Sequence, residues 1–404
     1  MSLSTLVEKA FQAGASDLHL EPGLPPAMRI RGSLQITGDP LAGAAVRAMA
    51  RQLASSGQWA GFEERRSLDL SQQIAGVRCR VNVFQTARGI GMAIRLFASF
   101  TANLEELNLH PSLRDLTFRK HGLVLICGPT GSGKSSTIAA LVQEINRREA
   151  RHILTIEQPI EYELRPRRSY IRQREVGRDT PSFEQALIDA LREDPDVIVV
   201  GEMRRPETMR LTLSAAETGH LVLSTVHASS VTEAIQRIIA SFPPSSQPSV
   251  CAQLAGCLTA VVSQNLVWKP SAGVRVPECE ILVSNHATQG SIRGNHLHRL
   301  VSIIETGRAD GMWSLARYQR WLAERDHFHK PTRADATPAS AFQPTAPIAQ
   351  ARPAPSQPAR PRPPSAPSSL ATPAPSVPDD GVFVLDGVDD DPASILEQLE
   401  IYDT

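Results

Sequence analysis

The sequence predicts an α/β protein in three parts: a small α+β domain, a larger domain with a parallel sheet, and a C-terminal segment without a core. Three observations predict this. Segments before residue 100 alternate apolar and polar residues, strand–loop–helix repeats begin at residue 121, and 15 of the 31 prolines lie beyond residue 330. With 404 residues, 41% of them hydrophobic, the chain is long enough for two domains with cores of their own.

Residues 1–100 are predicted to form the small α+β domain. LSTLVEKAFQAG has apolar residues at helical spacing and ends at a glycine, which favours a helix. AMRIRGSLQIT, GVRCRVNVFQT and GMAIRLFA alternate as half-buried strands do, and they predict a mostly antiparallel sheet. Residues 101–114 are predicted to be a linker, which leads into a short helix, PSLRDLTF.

Residues 115–330 are predicted to form the larger domain. The apolar runs HGLVLIC, HILTI, VIVVG and LVLST alternate with helical segments such as KSSTIAALVQEINRR. This alternation predicts a parallel sheet covered by helices on both faces. The later segments VTEAIQRIIASF, VCAQLAGCLTAVVSQNLV and DGMWSLARYQRWLAERD are interpreted mainly as helices.

The C-terminal segment is predicted to be disordered. Residues 331–378 form a linker rich in Pro, Ala and Ser, a composition that cannot bury enough apolar surface to fold alone. Residues 379–404 form an acidic tail peptide with nine acids and no base. The tail is either a peptide that folds on the basic-rimmed groove of an unknown partner protein or a solubilising end.

Charge and cysteine content narrow the classes of function. Residues 331–404 hold 4 basic and 10 acidic residues of the 42 and 42 in the chain, which leaves 38 against 32, or about +6, in residues 1–330. This charge suits phosphates or a membrane surface but demands neither. Five cysteines without a CxxC pair favour a reduced, cytosolic compartment and no structural zinc. The N-terminus resembles neither a signal peptide nor a membrane span, so any membrane contact is expected to be peripheral.

The segment GPTGSGKSS carries the strongest chemical signal. It satisfies the P-loop pattern G-x-x-x-x-G-K-[ST], with an apolar strand before it and a helix after it. Glycines let backbone amides turn toward a phosphate chain, a lysine neutralises β/γ-phosphate charge, and a serine hydroxyl helps to hold Mg²⁺. We therefore expect ATP and Mg²⁺ to bind here. The predicted binding residues are Gly128, Pro129, Thr130, Gly131, Ser132, Gly133, Lys134, Ser135 and Ser136, with Ser135 as a metal ligand.

Two acidic segments follow predicted strands. Glu202 comes directly after the run VIVVG, at the carboxyl edge of a parallel sheet, where ligands bind. It is the candidate for polarising the attacking water. The second segment is RHILTIEQPIEYEL, in which Glu157 and Glu161 flank an amide and a proline where a strand should end.

Four segments together resemble the secretion-type ATPases of type IV pili and type II secretion. They are GPTGSGKSS, TIEQPIEY, DPDVIVVGEMR and AAETGHLVLSTVHA, and the resemblance covers nearly all of residues 1–325. The chain is most similar to the PilT retraction ATPases, since one domain of about 100 residues precedes the motor and a four-cysteine zinc insert is absent. The resemblance implies a RecA-like core, a PAS-like sheet in the N-terminal domain, and ATP hydrolysis coupled to mechanical work.

The resemblance also implies partners and a location. Members of this family form homohexameric rings in the cytoplasm, peripheral at the inner membrane, and drive an inner-membrane pilus platform protein. A sister motor ATPase is a further expected partner. Nucleic acid is not expected, because no aromatic residues for base stacking alternate with the arginines.

The roles of several residues rest on this resemblance. The acidic segment is usually Glu-Asp-Pro-Ile-Glu and lies near the γ-phosphate and Mg²⁺. Catalytic roles are therefore expected for Glu157 and Glu161, with Glu157 also contacting Mg²⁺, while Gln158 stands where the aspartate would be. Gln158 either weakens catalysis or only caps a turn. His220 and His227 match the family's His box, which links the γ-phosphate site to the neighbouring subunit, so catalytic roles are implied for both; the alternative is an ordinary core or edge position. Arg80 and Arg95 match arginines that reach the γ-phosphate, and the alternative for them is a solvated basic face.

Departures from the family leave other functions open. Arg205 replaces an acidic residue, and SIRGNHLHR at 291–299 keeps little of a stretch associated with retraction. Pilus retraction is the leading function. The alternatives are a pilus assembly or type II secretion ATPase, a non-hydrolysing regulatory ring subunit, and a nucleic-acid translocase.

Overall fold

The computed structural model describes residues 2–30, 32–97 and 103–330. The predicted linker and tail over 331–404 lie outside the described residues, as do 98–102. Two sheets organise the described part, one on each side of this gap. We refer to residues 2–97 as the N-terminal domain and to residues 103–330 as the larger domain.

The N-terminal domain is an antiparallel sheet covered by three helices. Its sheet has six strands within the described residues, in the order β3-β2-β1-β6-β5-β4. Its elements are α1 (Leu3–Gln12), β1 (Ala15–Leu20), β2 (Ala27–Ile30), β3 (Ser33–Ile36), α2 (Gly43–Leu53), α3 (Ser56–Arg65), β4 (Ser67–Ile74), β5 (Val77–Thr86) and β6 (Gly89–Phe97). The predicted strand segments are confirmed, with AMRIRGSLQIT divided into β2 and β3, while β1, α2, α3 and β4 were not anticipated.

Alternation along β5 separates the core of this domain from a polar face. Val77, Cys79 and Val81 are buried together with apolar residues of the three helices. The residues between them, Arg78 and Arg80, therefore lie on the opposite face of the sheet. Arg95 on β6 is the cross-strand partner of Arg80, so these arginines share that face.

The larger domain is a mostly parallel sheet with helices on both faces. Within the described residues it has seven strands, in the order β13-β12-β7-β11-β10-β8-β9, and only β13 pairs antiparallel. Its elements are β7 (Gly122–Cys127), α4 (Lys134–Arg148), β8 (His152–Glu157), β9 (Tyr170–Glu175), α5 (Phe183–Ala190), β10 (Val197–Val200), α6 (Pro206–Glu217), β11 (Leu221–Val226), α7 (Val231–Ala240), α8 (Gln247–Cys257), β12 (Leu258–Lys269), β13 (Val274–Val283), α9 (His286–Arg293), α10 (Leu300–Thr306) and α11 (Leu315–Ala323), with 3₁₀ helices at Pro111–Phe118, Leu297–Arg299 and Gly307–Asp310.

Every residue of the central strand β7 is buried, which accounts for its unbroken apolar run. Leu123 and Leu125 face one core with apolar residues of α5, α6 and α7, among others. Val124 and Ile126 face the other core, with residues of α4 and α11. The predicted sheet covered on both faces is confirmed.

One helix prediction is wrong. LTAVVSQNLV was interpreted as the continuation of a helix, but residues 258–269 form β12, which pairs with β7 on one side and β13 on the other. Its first half is buried between neighbours, so its apolar residues run continuously instead of alternating. Such a run cannot be told from a buried helix by periodicity alone. The strands β9 and β13 were also missed.

The segment that follows the gap packs on the larger domain. Leu104, Leu109 and Leu113 are buried in the same core as Val124. PSLRDLTF is helical as predicted, although as a 3₁₀ helix. In the described ranges, no helix combines the length and apolar character needed to cross a membrane.

Candidate nucleotide site

The loop between β7 and α4 has the shape of a phosphate cradle. Gly128 has φ 151° and Gly133 has φ 90°, values that favour glycine. A Cβ atom on Gly128 would lie 2.2 Å from the carbonyl oxygen of Gln264 and 2.5 Å from Ser132 Oγ, so no other residue fits. Lys134 begins α4, and its Nζ donates to the carbonyl oxygens of Gly128 and Pro129 at 2.9 Å each.

The cradle leaves donors for an anion. Ser132 Oγ is buried and has no hydrogen-bond partner within the described residues. Burial lowers the pKa of Lys134, and the charges of Glu202, Cys127 and Glu161 oppose this shift. Burial acts in this direction because it removes water that would otherwise hydrate the ammonium group. A close-packed glycine backbone, an unpartnered hydroxyl and a buried ammonium fit the phosphate chain of ATP.

Gln264 on β12 supports this loop and was missed by the sequence analysis. Its Nε2 donates to the carbonyl oxygen of Ser132 at 2.6 Å, and its Oε1 accepts from Thr137 Oγ1 at 2.7 Å. One amide therefore ties the loop to the first turn of α4. A partner 132 residues away in sequence leaves no local signal.

A single pocket brings together most of the predicted site residues from both domains. Ser135 is exposed on the first turn of α4 and faces the same pocket as the acidic segment that follows β8. The predicted residues that line it are Arg80, Arg95, Thr130, Gly131, Lys134, Ser135, Glu157, Glu161, Glu202 and His227, and Gln158 lines it too. Ser135 and Glu157 offer the oxygen ligands that Mg²⁺ prefers, so the donor set fits this ion.

Ser136 has a different environment from Ser135. Its hydroxyl lies 2.9 Å from the hydroxyl of Tyr162, which also lines the pocket. Four other P-loop residues shape the cradle through the backbone, namely Gly128, Pro129, Ser132 and Gly133.

Glu202 lies directly beyond β10, where its carboxylate has two neighbours. Oε1 lies 3.2 Å from His227 Nε2, and Oε2 accepts from Arg204 Nη2 at 2.7 Å. Burial and the charge of Lys134 lower the pKa of His227, while Glu202 opposes this shift. The net shift favours the neutral imidazole, which lies in contact with the Glu202 carboxylate.

Glu157 is the last residue of β8, and one of its carboxylate oxygens accepts two hydrogen bonds. Its Oε1 accepts from Thr155 Oγ1 at 2.7 Å and from Gln173 Nε2 at 3.1 Å. Burial, with a smaller contribution from Glu161, raises the pKa of Glu157 to about 7. A bound cation favours the ionised form of such a carboxyl group. Gln158 beside it is exposed and adds no charge.

His220 does not line the pocket of its own chain, and its predicted catalytic role stays a prediction. It precedes β11, whereas His227 follows it, and a strand of six residues spans roughly 20 Å. His220 Nδ1 lies 3.0 Å from the carbonyl oxygen of Ala215, at the edge of the sheet away from the P-loop. The parallel direction of β11 and β7 places only the carboxyl end of β11 near the nucleotide site.

The cradle and the acid after β10, on a parallel sheet, define a P-loop ATPase. Comparison with known proteins narrows the class. The chain belongs to the type II/IV secretion system protein family, whose model matches residues 1–308. It is therefore an Mg²⁺-dependent enzyme that binds and hydrolyses ATP, and the predicted RecA-like fold is confirmed.

Three relatives describe the similarity in detail. The type IV pilus retraction ATPase PilT of Pseudomonas aeruginosa is 42% identical over 317 residues, which cover 78% of this chain and 92% of that protein. A twitching motility protein of Neisseria gonorrhoeae is 40% identical over 292 residues, 72% of this chain and 78% of that protein. A crystal structure of the pilus retraction motor PilT with bound ADP is 38% identical, with a TM-score of 0.71, covering 79% of this chain and 96% of that one.

Proposed function

We propose that this chain is the hexameric, ATP-hydrolysing motor of a type IV pilus system and that it drives pilus retraction. The observation that carries the proposal is the 42% identity to a retraction ATPase over 92% of that protein's length. Similarity over nearly the whole relative includes the N-terminal domain, which faces the nucleotide pocket. An assembly or type II secretion ATPase is a weaker alternative, because the matched type II secretion ATPase of Vibrio cholerae is covered over only 48% of its length.

The geometry supports separate roles for these residues in ATP hydrolysis. The P-loop backbone and Lys134 bind the phosphates, and Ser135 with Glu157 holds Mg²⁺, which when bound neutralises charge that develops on the β- and γ-phosphates. Glu202 orients and polarises the attacking water, and His227 lies against its carboxylate. Arg80 and Arg95 reach the pocket of their own chain and stabilise the charge of the transferring phosphoryl group.

The partners follow from the same proposal. Six copies form a ring in the cytoplasm, at the inner face of the inner membrane, and turn a platform protein of the pilus machinery. A sister motor is a second partner, since the type IV pilus ATPase PilU of Pseudomonas aeruginosa is 36% identical over 314 residues of this chain. The acidic tail, 379–404, remains a candidate for binding a further protein.

Deletion of the gene in its host tests the direction of work. A retraction motor is needed to withdraw pili, so the deletion should leave cells with excess surface pili and no twitching. Wild-type protein should restore both, and Glu202→Gln should restore neither while being expressed to the same level. Cells without surface pili would contradict retraction and support assembly.

Purified protein tests the remaining alternatives. The wild-type ring should have the mass of a hexamer and release phosphate from Mg-ATP, and added DNA should leave the rate unchanged. Tight ATP binding without turnover would support a regulatory subunit. Hydrolysis stimulated by DNA would support a translocase.

A further inference from the structure

Arg78 links the N-terminal domain to the larger domain at the acidic segment of the site. Its Nη2 donates to Glu175 Oε2 at 2.8 Å, and its Nε donates to the carbonyl oxygen of Ile160 at 3.2 Å. The side chains of Arg78 and Glu175 are 21% and 8% exposed, so water screens this ion pair weakly. One guanidinium thus contacts a side chain and a main chain of the other domain.

The contacts of Arg78 lie beside the catalytic carboxylates. Ile160 N also donates to Glu175 Oε2, at 3.2 Å, so the same carboxylate holds the segment between Glu157 and Glu161. Glu175 is the register partner of Glu157 across β8 and β9, and Val176 N donates to the carbonyl oxygen of Glu157 at 2.9 Å. A shift of Arg78 relative to this segment therefore changes the distance between the N-terminal domain and the site.

Arg80 lies on the strand that Arg78 anchors, and Arg95 is its cross-strand partner on β6. Arg80 follows Arg78 by two residues on the same face of β5, about 7 Å along the strand. Its ion pair with Asp69 is long, 3.5 Å, and exposed, while Arg95 pairs with Asp17 at 3.0 Å with its own side chain 62% exposed. Both ion pairs lie within the N-terminal domain, and exposed ion pairs of this kind contribute little to stability.

We infer that Arg78 is a positioning residue for hydrolysis: it docks the N-terminal domain on Glu175 and Ile160 and so sets Arg80 and Arg95 at the phosphate end of the pocket. The inference rests on the proposed role of those two arginines. Arg78 itself does not line the pocket and is not a catalytic residue. Its loss misplaces two charges that act in the transition state, whereas the P-loop that binds ATP is untouched.

The first experiment separates kcat from KM in the purified ring. Arg78→Gln should lower kcat for Mg-ATP by about tenfold or more, as misplacement of catalytic groups does, with KM changed less than about threefold. Glu175→Gln should have the same effect, and the two substitutions together should be no worse than one. Arg172→Gln is the matched control, because Arg172 pairs with Glu193 inside the larger domain, and its kcat should stay at the wild-type value.

The second experiment asks whether Arg78 acts through the other two arginines. Arg80→Gln combined with Arg95→Gln should lower kcat, and Arg78→Gln added to that background should lower it no further. A purely structural role would lower kcat by the same factor in both backgrounds, and that result would overturn the inference. So would a wild-type kcat for Arg78→Gln, or a change in KM alone.

Stability and the proposed function are checked separately. If Arg78→Gln fails to assemble, Arg78→Lys keeps the charge but cannot make both contacts from one planar group, and the same drop in kcat is expected. A wild-type rate for the Arg80→Gln, Arg95→Gln variant would overturn both the inference and the proposed roles of these two arginines. If hydrolysis by that variant were still abolished by Glu202→Gln, the proposed role of Glu202 in hydrolysis would stand.

Discussion

His227 Nε2 lies 3.2 Å from Glu202 Oε1, although the two residues follow different strands of the larger domain. The strands β10 and β11 are parallel neighbours, so their carboxyl ends bring both side chains to one edge. The imidazole lies against one carboxylate oxygen, and Arg204 Nη2 donates to the other at 2.7 Å. Both oxygens of the Glu202 carboxylate therefore have a neighbour that restricts its orientation, which suits the role proposed for it in polarising water.

Replacement of Glu202 by Gln should lower kcat by about 10²–10⁴-fold, the usual contribution of a general base. An amide keeps the shape and can still contact His227 and Arg204, but it does not polarise water. ATP binding, measured with a fluorescent analogue, should remain because the P-loop is unchanged. Glu207→Gln, an exposed acid on the first turn of α6, is the control and should hydrolyse ATP at the wild-type rate. Residual turnover above a tenth of wild type would assign the water to another residue.

Gln264→Met should weaken ATP binding by about tenfold while leaving the fold intact. Methionine has a similar volume but leaves the carbonyl oxygen of Ser132 and the hydroxyl of Thr137 without their partner, a loss of about 1–3 kcal/mol for buried groups. Isothermal titration with ADP and Mg²⁺ measures the effect. The control is Gln319→Met, since Gln319 makes an exposed hydrogen bond to Glu278. Equal affinities for the two variants would show that Gln264 does not shape the loop.

Gln158→Asp should lower the Mg²⁺ concentration needed for half-maximal hydrolysis. A carboxylate at this exposed pocket position adds negative charge beside Glu157, where a divalent cation is expected. Gln158→Asn shortens the side chain without adding charge and controls for geometry. A titration of Mg²⁺ at saturating ATP measures the effect. If both variants needed the same concentration as wild type, Gln158 would only cap the turn before Pro159.

Local patterns account for what the sequence predicted well. The P-loop is one contiguous segment of nine residues. Its glycines are required by the backbone conformation of that segment alone. The position of Glu202 followed from a short apolar run and the direction of a parallel strand. These inferences needed no knowledge of distant contacts.

Long-range contacts account for what was missed. Gln264 supports the P-loop from β12, a strand whose buried first half imitates a helix in its lack of alternation. In the sequence, Arg78 was one of several arginines on two strands. Only the contact between the two domains shows that Arg78 forms a largely buried ion pair with Glu175, whereas Arg80 and Arg95 form exposed ones. His220 was grouped with His227 by similarity to a motif, but the direction of β11 places the two residues at opposite ends of that strand.

His110 makes the stability of the larger domain dependent on pH. Its ring lies 4.1 Å from that of Trp313 and 4.6 Å from that of Trp321, and its Nδ1 accepts from Ser112 N. Burial, and to a lesser degree the charge of Arg325, lowers the pKa of His110 from 6.5 to about 4. Between these two values the unfolded chain binds a proton that the folded chain does not, so the free energy of unfolding falls as pH falls.

The contribution of His110 is complete above pH 6.5 and is lost progressively down to about pH 4. His110→Asn removes the titration but keeps an N-cap acceptor for Ser112 N. Urea unfolding between pH 4 and 7 should therefore give a shallower pH dependence for this variant than for wild type. The same substitution at exposed His121 is the control. Identical pH dependence for wild type and His110→Asn would contradict the prediction, because carboxylates that titrate in this range are common to both proteins.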